Sequence, residues 1–184
     1  MAEFTLYCFA QSGNAYKAAL MLNLCGADWQ PRFVDYFNGE TRTPEFRRIN
    51  PMGEVPVLEH GARRLSQSAV ILDYLAQHFG RFGWSNDEER REILRWLLFD
   101  NHKLTSYTAT LRFMLALART GETEVTAFLR QRSRTALGIL NDHLATISLR
   151  TSFQLWPRTA APPRARAVAP ILTRCRRRMY RRRH

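Results

Sequence analysis

Short apolar runs separated by turn residues fill the first part of the chain. Phe4 to Phe9 is rich in aromatic and β-branched residues and short, which predicts a strand. Gln11-Ser12-Gly13-Asn14 has turn composition. Ala15 to Cys25 is apolar nearly all round, which predicts a helix buried against a sheet and stopped at Gly26. Gln30 to Tyr36 predicts a second strand, completing a parallel βαβ unit. Thr43-Pro44 places an N-cap before a proline at the first helical position, so a short helix through Arg48, ending near Asn50-Pro51, should follow. Val55 to His60 reads as a third strand with Pro56 at its start, and Arg64 to Ser66 as a brief fourth after the turn at Gly61. Gln67 to Phe79 predicts a helix with Ile71, Leu72, Leu75 and Phe79 on one face.

Beyond a linker at 80–84 the period changes to that of helices alone. Ser85-x-x-Glu88 has the form of a capping box. It opens a long helix whose apolar stripe runs through Leu94, Leu97, Leu98, Leu104, Tyr107, Leu111 and Met114, broken by Gly121. Thr123 caps a second helix carrying Val125, Phe128, Leu129, Ala136, Leu137, Leu140 and Leu144. The fold class expected is α/β plus all-α: a thioredoxin-like βαβαββα domain over 1–80 and a helical domain, incomplete, over 85–147.

Charge changes the picture only at the end. The formal net charge is +12, yet residues 1–147 hold 17 of the 28 basic residues together with all 16 acids. Residues 148–184 hold 11 Arg and no Lys, Asp or Glu, with Pro157, Pro162, Pro163 and Pro170 breaking any helix. The pI therefore describes a tail, not a nucleic-acid-binding body, and no nucleic-acid partner is expected for the body. Apolar runs are too short for a membrane span, and the first residues lack signal-peptide character. Cys8, Cys25 and Cys175 form neither a disulfide framework nor a metal spacing, and the five histidines form no short ligand pair, so no metal is expected. A reducing, cytoplasmic setting fits these features.

Three segments carry candidate chemistry. A redox thioredoxin would place Cys-x-x-Cys at the first strand-to-helix turn; Ser12-Gly13-Asn14-Ala15 stands there, which excludes dithiol exchange. What remains is a hydroxyl at a helix N-terminus, where backbone N–H groups and the helix dipole favour an anion. Ser12 is either a donor to a bound thiolate or simply an N-cap. Val55-Pro56 is either a cis bond leaving the Val55 backbone open to an extended peptide or an ordinary edge proline. Gln67-Ser68 opens a helix and either holds a carboxylate or only caps.

In combination, Leu6-Tyr7…Ser12-Gly13-Asn14-Ala15-Tyr16-Lys17, Thr43-Pro44-Glu45-Phe46…Asn50-Pro51-Met52-Gly53-Glu54-Val55-Pro56-Val57-Leu58 and Ser66-Gln67-Ser68…Ile71-Leu72-Asp73-Tyr74-Leu75 resemble a bacterial glutathione transferase over residues 4–147. The resemblance implies a cytoplasmic enzyme of detoxification that conjugates the thiolate of its co-substrate glutathione to a small electrophile and works as a homodimer. It implies that Ser12 is the thiol-activating hydroxyl, that Val55 pairs with the cysteinyl backbone beside cis-Pro56, and that Gln67 and Ser68 hold the γ-glutamyl end. Asn14 belongs to the same glutathione-binding set, and the sulfur contact stays open between Ser12, Asn14 and a water. His102-Lys103 resembles a pair in beta-type members whose histidine borders the active site; a surface histidine is the equal alternative. Two departures stand out. Ala15 occupies the place of the beta-type cysteine, and Glu54 stands where a cation or Gln commonly precedes Val-Pro. The alternative to an enzyme is a non-catalytic glutathione-fold binding module or an inactive truncated product.

The resemblance also implies further helices after Thr146, in whose place stands the arginine-rich tail. The composition of 148–184 matches GC-rich DNA read out of frame, so a frameshift near 146–150 is the expectation; a basic arm for nucleic acid or anionic lipid is the competing reading.

Overall fold

In a computed structural model the described residues are 2–146; the arginine-rich tail and the frameshift question lie outside them. Two compact units divide at residues 83 and 84.

The first unit is built on a four-stranded sheet of order β2-β1-β3-β4, with β1 Phe4–Cys8, β2 Trp29–Phe33, β3 Val57–His60 and β4 Arg63–Ser66. β1 pairs with β2 in parallel, and with β3 antiparallel in a register that sets Leu6 against Leu58 and Tyr7 against Val57. Because successive side chains leave a strand on opposite faces, this register builds two cores from the same strands. Phe4, Leu6, Cys8 and Leu58 face one core with Ala15, Ala18 and Leu22 of helix α1 (Gly13–Cys25) and Ile71 and Leu75 of α3 (Ser68–Phe79). Tyr7 and Val57 face the other with Val34 and Phe46, the latter on the short helix α2 (Pro44–Arg47). The Tyr7 hydroxyl donates to Glu59 Oε2 at 2.7 Å and accepts from Arg32 Nη1 at 3.3 Å. Burial, reinforced by the bond to Glu59 and opposed by Arg32, raises the pKa of this phenol.

Several boundaries differ from the expectations, each for a local reason. β1 ends at Cys8, and Phe9 leaves the ladder to stack on Tyr36 at 4.5 Å between ring centres. β2 starts at Trp29 and stops at Phe33; Tyr36–Asn38 and Glu40–Arg42 are 3₁₀ turns. α1 begins two residues before Ala15, since Ser12 caps it, and ends as expected at Gly26, whose φ of 72° is the left-handed C-cap. α2 is capped by Thr43 and closes at Arg47. β3 starts after Pro56, which has no N–H for the ladder.

In the second unit, α4 (Asp87–Phe99) is capped by Asn86, not Ser85: Asn86 Oδ1 accepts from Glu89 N at 3.0 Å, while Glu89 Oε2 accepts from Ser85 N at 2.7 Å. The box is shifted by one residue because Asn86 holds the extended cap conformation. The expected regular helix widens into π-helical turns over Asp100–Ala109 and again over Phe113–Leu117, around the short α5 (Thr110–Arg112). Ser106 Oγ donates to the carbonyl of Asn101 and Thr108 Oγ1 to that of Leu104; hydroxyls competing for carbonyls one turn back disturb the α ladder. Helix α6 (Glu124–Thr146) starts at the expected cap, with Thr123 Oγ1 accepting from Thr126 N and Thr126 Oγ1 from Thr123 N. Its buried face is Thr126, Leu129, Ser133 and Ala136; Val125, Phe128, Leu137 and Leu144 of the expected stripe are exposed. The inward stripe runs in steps of 3 and 4 through two small polar residues, which a purely apolar count passes over. No helix among the described residues is long and apolar enough to cross a membrane.

Leu58 is fully buried at the junction of β1, α1 and α3. Leu58→Ala is expected to destabilise the first unit by about 2–5 kcal/mol, read as a lower denaturant midpoint.

Candidate functional site

The loop from Asn50 to Pro56 is shaped by one buried amide. Asn50 is 2% exposed; its Nδ2 donates to Glu54 O at 2.8 Å, and its Oδ1 accepts from Met52 N at 3.2 Å. The side chain thereby satisfies both a donor and an acceptor of a loop that has no sheet partner. Gly53 at φ +66° completes the turn, and a Cβ there would lie 2.9 Å from the Thr41 carbonyl oxygen, so only glycine fits. The turn delivers Val55 and Pro56 across a cis peptide bond. Pro56 is buried, while Val55 is half-buried and precedes the first ladder residue of β3.

Two helix starts flank this loop. At α1, Ser12 is extended (φ −78°, ψ 112°) and its Oγ accepts from Ala15 N at 3.2 Å, so the N-cap role is realised. That bond uses the oxygen as acceptor and leaves the hydroxyl proton available to donate elsewhere. No acidic residue occupies the first turn, and a Cβ on Gly13 would meet nothing within 4 Å. The first turn at the positive end of this helix is therefore open at Gly13 and carries no acidic side chain of its own. At α3, Gln67 is held at φ 67°, a left-handed conformation costly for any residue but glycine. Gln67 Nε2 donates to Glu54 Oε2 at 3.2 Å and contacts Met52 Sδ at the same distance. Ser68 is buried and its Oγ donates to Asn14 Oδ1 at 3.4 Å.

All six expected residues in the first unit are tied together by these features. Ser12 and Asn14 share the first turn of α1, Asn14 reaches Ser68, and Gln67 reaches the loop that carries Val55 and Pro56 through Glu54. Glu54, read from the sequence only as a departure, is a working part of this arrangement because it anchors Gln67. Asn50 is read from the sequence only as the end of the short helix and a member of the motif; Asn-Pro ahead of a Gly is a turn signal, but the burial that makes it the loop's anchor is a tertiary fact. His102 lies in the second unit, exposed, within the π-helical stretch. Burial pushes the Cys25 thiol up in pKa, with Arg81 opposing.

Chemically, the arrangement offers a hydroxyl donor at a positive helix end, an unladdered extended backbone segment, and a second helix start bearing an amide and a hydroxyl. Those parts suit a short anionic peptide bearing a group to be ionised.

Comparison with known proteins relates the chain to one family. Residues 11–78 match the family described as "Glutathione S-transferase, N-terminal domain". Glutathione S-transferase 1 of Dianthus caryophyllus is 43% identical over 77 residues, covering 42% of this chain and 35% of that protein. The transcriptional regulator URE2 of Saccharomyces cerevisiae is 32% identical over 105 residues, covering 52% of this chain and 30% of that protein. A crystal structure of a possible glutathione S-transferase from Rhodopseudomonas palustris superposes with a TM-score of 0.73 at 35% identity, over 79% of this chain and 72% of that one. The chain spans less than half the length of the curated relatives it matches, between 29% and 45%.

Asn50→Ala removes the partner of the Glu54 carbonyl and of the Met52 N–H. It is expected to cost about 1–3 kcal/mol in chemical denaturation, and Asn50→Asp should be no better, because its second oxygen would face the Glu54 carbonyl in a buried site.

Proposed function

The chain belongs to the glutathione S-transferase family, and from that premise we propose that it binds glutathione on its first unit and transfers the thiolate to a small electrophile. The observation that carries the reading is the acid-free N-terminus of α1 with the Ser12 hydroxyl as its cap. In the proposed mechanism the backbone at Val55 pairs with the cysteinyl segment of glutathione. Asn14, Gln67 and Ser68 hold the γ-glutamyl end. The sulfur then lies where the dipole of α1 and the Ser12 proton favour its ionised form, the nucleophile. The thiol proton leaves to solvent, the thiolate forms the new carbon–sulfur bond, and the electrophile's leaving group departs or its double bond takes up a proton. His102 is proposed to assist the second substrate, a role that stands on resemblance alone. The proposed working state is a cytoplasmic homodimer.

A second reading is a glutathione-binding module without turnover. It is favoured by the relative named as a transcriptional regulator.

Ser12→Gly separates the readings. Glycine loses the hydroxyl yet costs a helix cap only a few tenths of a kcal/mol, so the fold should hold. Hydrogen bonds to charged groups are worth about 1.5–3 kcal/mol, so conjugation of a chlorodinitrobenzene should fall roughly 10- to 100-fold while glutathione titrated by calorimetry still binds. Binding by the parent chain with no turnover supports the module. A folded parent chain that binds no glutathione refutes both readings.

A further inference from the structure

Glu3, His60 and His78 are far apart in sequence and meet at one corner of the first unit. Glu3 stands just before β1, His60 ends β3, and His78 lies in the last turn of α3. The register of β1 and β3 is responsible, because it pairs Phe4, the residue after Glu3, with His60. Glu3 Oε1 is 3.3 Å from His60 Nε2 and 3.5 Å from His78 Nε2, and one ligand atom from each residue lies within 4.8 Å of the other two. Imidazole and carboxylate bind zinc at about 2.0–2.2 Å, which sets neighbouring donors on a tetrahedral ion roughly 3.4 Å apart. Both glutamate–histidine spacings already equal that edge.

The surroundings favour a ligand set over a chance ion pair. His60 Nδ1 lies 2.7 Å from the Tyr74 hydroxyl oxygen. With the Nδ1 proton donated to that oxygen, Nε2 presents its lone pair towards Glu3; outer hydrogen bonds of this kind orient metal-binding histidines. The Phe4 ring packs 4.3 Å from His60 and 5.5 Å from His78, and His78 stacks on Tyr74 and meets Phe79 edge-on. These contacts fix both imidazoles before any ion arrives. The side chains remain 25% (His60), 33% (His78) and 45% (Glu3) exposed, so an ion has access and water can fill a remaining position.

We propose that Glu3, His60 and His78 bind a divalent first-row transition ion, of which zinc is the type. Two imidazoles and one carboxylate suit that class better than magnesium or calcium, which prefer all-oxygen sets. The ion ties the start of β1, the end of β3 and the end of α3, so it stabilises the sheet and helix that also carry the glutathione-site residues, without sharing any of them. Sequence reading expected no metal because residues 60 and 78 have no motif spacing; only the strand register and the helix end bring them together.

The test uses the full chain, stripped with chelator and dialysed. Zinc is titrated by calorimetry and melting temperature, and cobalt by absorption. Expected are saturable binding at micromolar zinc, a rise in melting temperature, and tetrahedral cobalt bands without thiolate charge transfer, which sets Cys8, Cys25 and Cys175 aside. Glu3→Gln and His78→Gln should each weaken zinc binding at least about tenfold and abolish the melting shift. Glu3→Gln alters an exposed residue that no core contact requires, so it keeps the test valid if His78→Gln fails to fold. Affinity unchanged in Glu3→Gln, a thiolate-dominated cobalt spectrum, or no saturation below millimolar zinc would overturn the proposal.

Discussion

Strand β1 is buried on both faces, and that constraint organises the first unit. Its odd and even residues answer to different partners: Phe4, Leu6 and Cys8 to α1 and α3, Tyr7 to Val34 and Phe46. A register slip of one residue would turn the Tyr7 hydroxyl, with its bonds to Glu59 and Arg32, into an apolar core. The pairing of Leu6 with Leu58 is therefore fixed from both sides. From it follow the positions of β3, of the loop that feeds β3, and of the two helices that cover the sheet.

The candidate site is a consequence of how that frame ends. α1 follows β1 and α3 follows β4, and both begin beside the loop before β3, as the Asn14–Ser68 and Glu54–Gln67 bonds record. The frame supplies the positions, and a few polar groups supply the precision. Asn50, almost wholly buried, replaces the hydrogen bonds that a loop outside the ladder cannot make. Gln67 sits at positive φ with its carbonyl accepting from Ile71 N at 3.0 Å, so helix α3 itself holds the strained cap. Strain and buried polarity, which stabilise no apolar core, gather where the backbone meets the candidate ligand.

Much of this was legible in the chain. The order of strands and helices, the caps at Thr43 and Thr123, and the stop at Gly26 follow from local composition and were found. The site's three segments were legible because each has a local signature: a turn, a Val-Pro pair and a helix start. What escaped depended on contacts across the fold. The Glu54–Gln67 bond joins residues 13 apart, and Glu3, His60 and His78 are brought together by the β1–β3 register and the end of α3, which no motif announces. The π-helical stretch escaped for a different reason: its apolar positions fit the α period, and its serine and threonine hydroxyls decide the matter locally.

Glu54 is the residue through which these points meet. A carboxylate beside the Val-Pro segment repels an anionic ligand end, and a lone exposed glutamate would do so without any return. Here it accepts the Gln67 amide. A peptide anion arriving at α3 must then either share Gln67 with Glu54 or displace it. Sharing keeps the loop and the helix start locked together, and the negative charge of Glu54 then works against any second carboxylate on the ligand. Displacement frees the amide for the ligand but leaves Glu54 facing solvent, where an exposed carboxylate is readily hydrated. The second course exchanges one amide–carboxylate hydrogen bond for another, so the two courses differ chiefly in where the charge of Glu54 is left. Glu54 therefore holds Gln67 by one hydrogen bond, and under the proposed function a ligand carboxylate would have to match that bond to take its place.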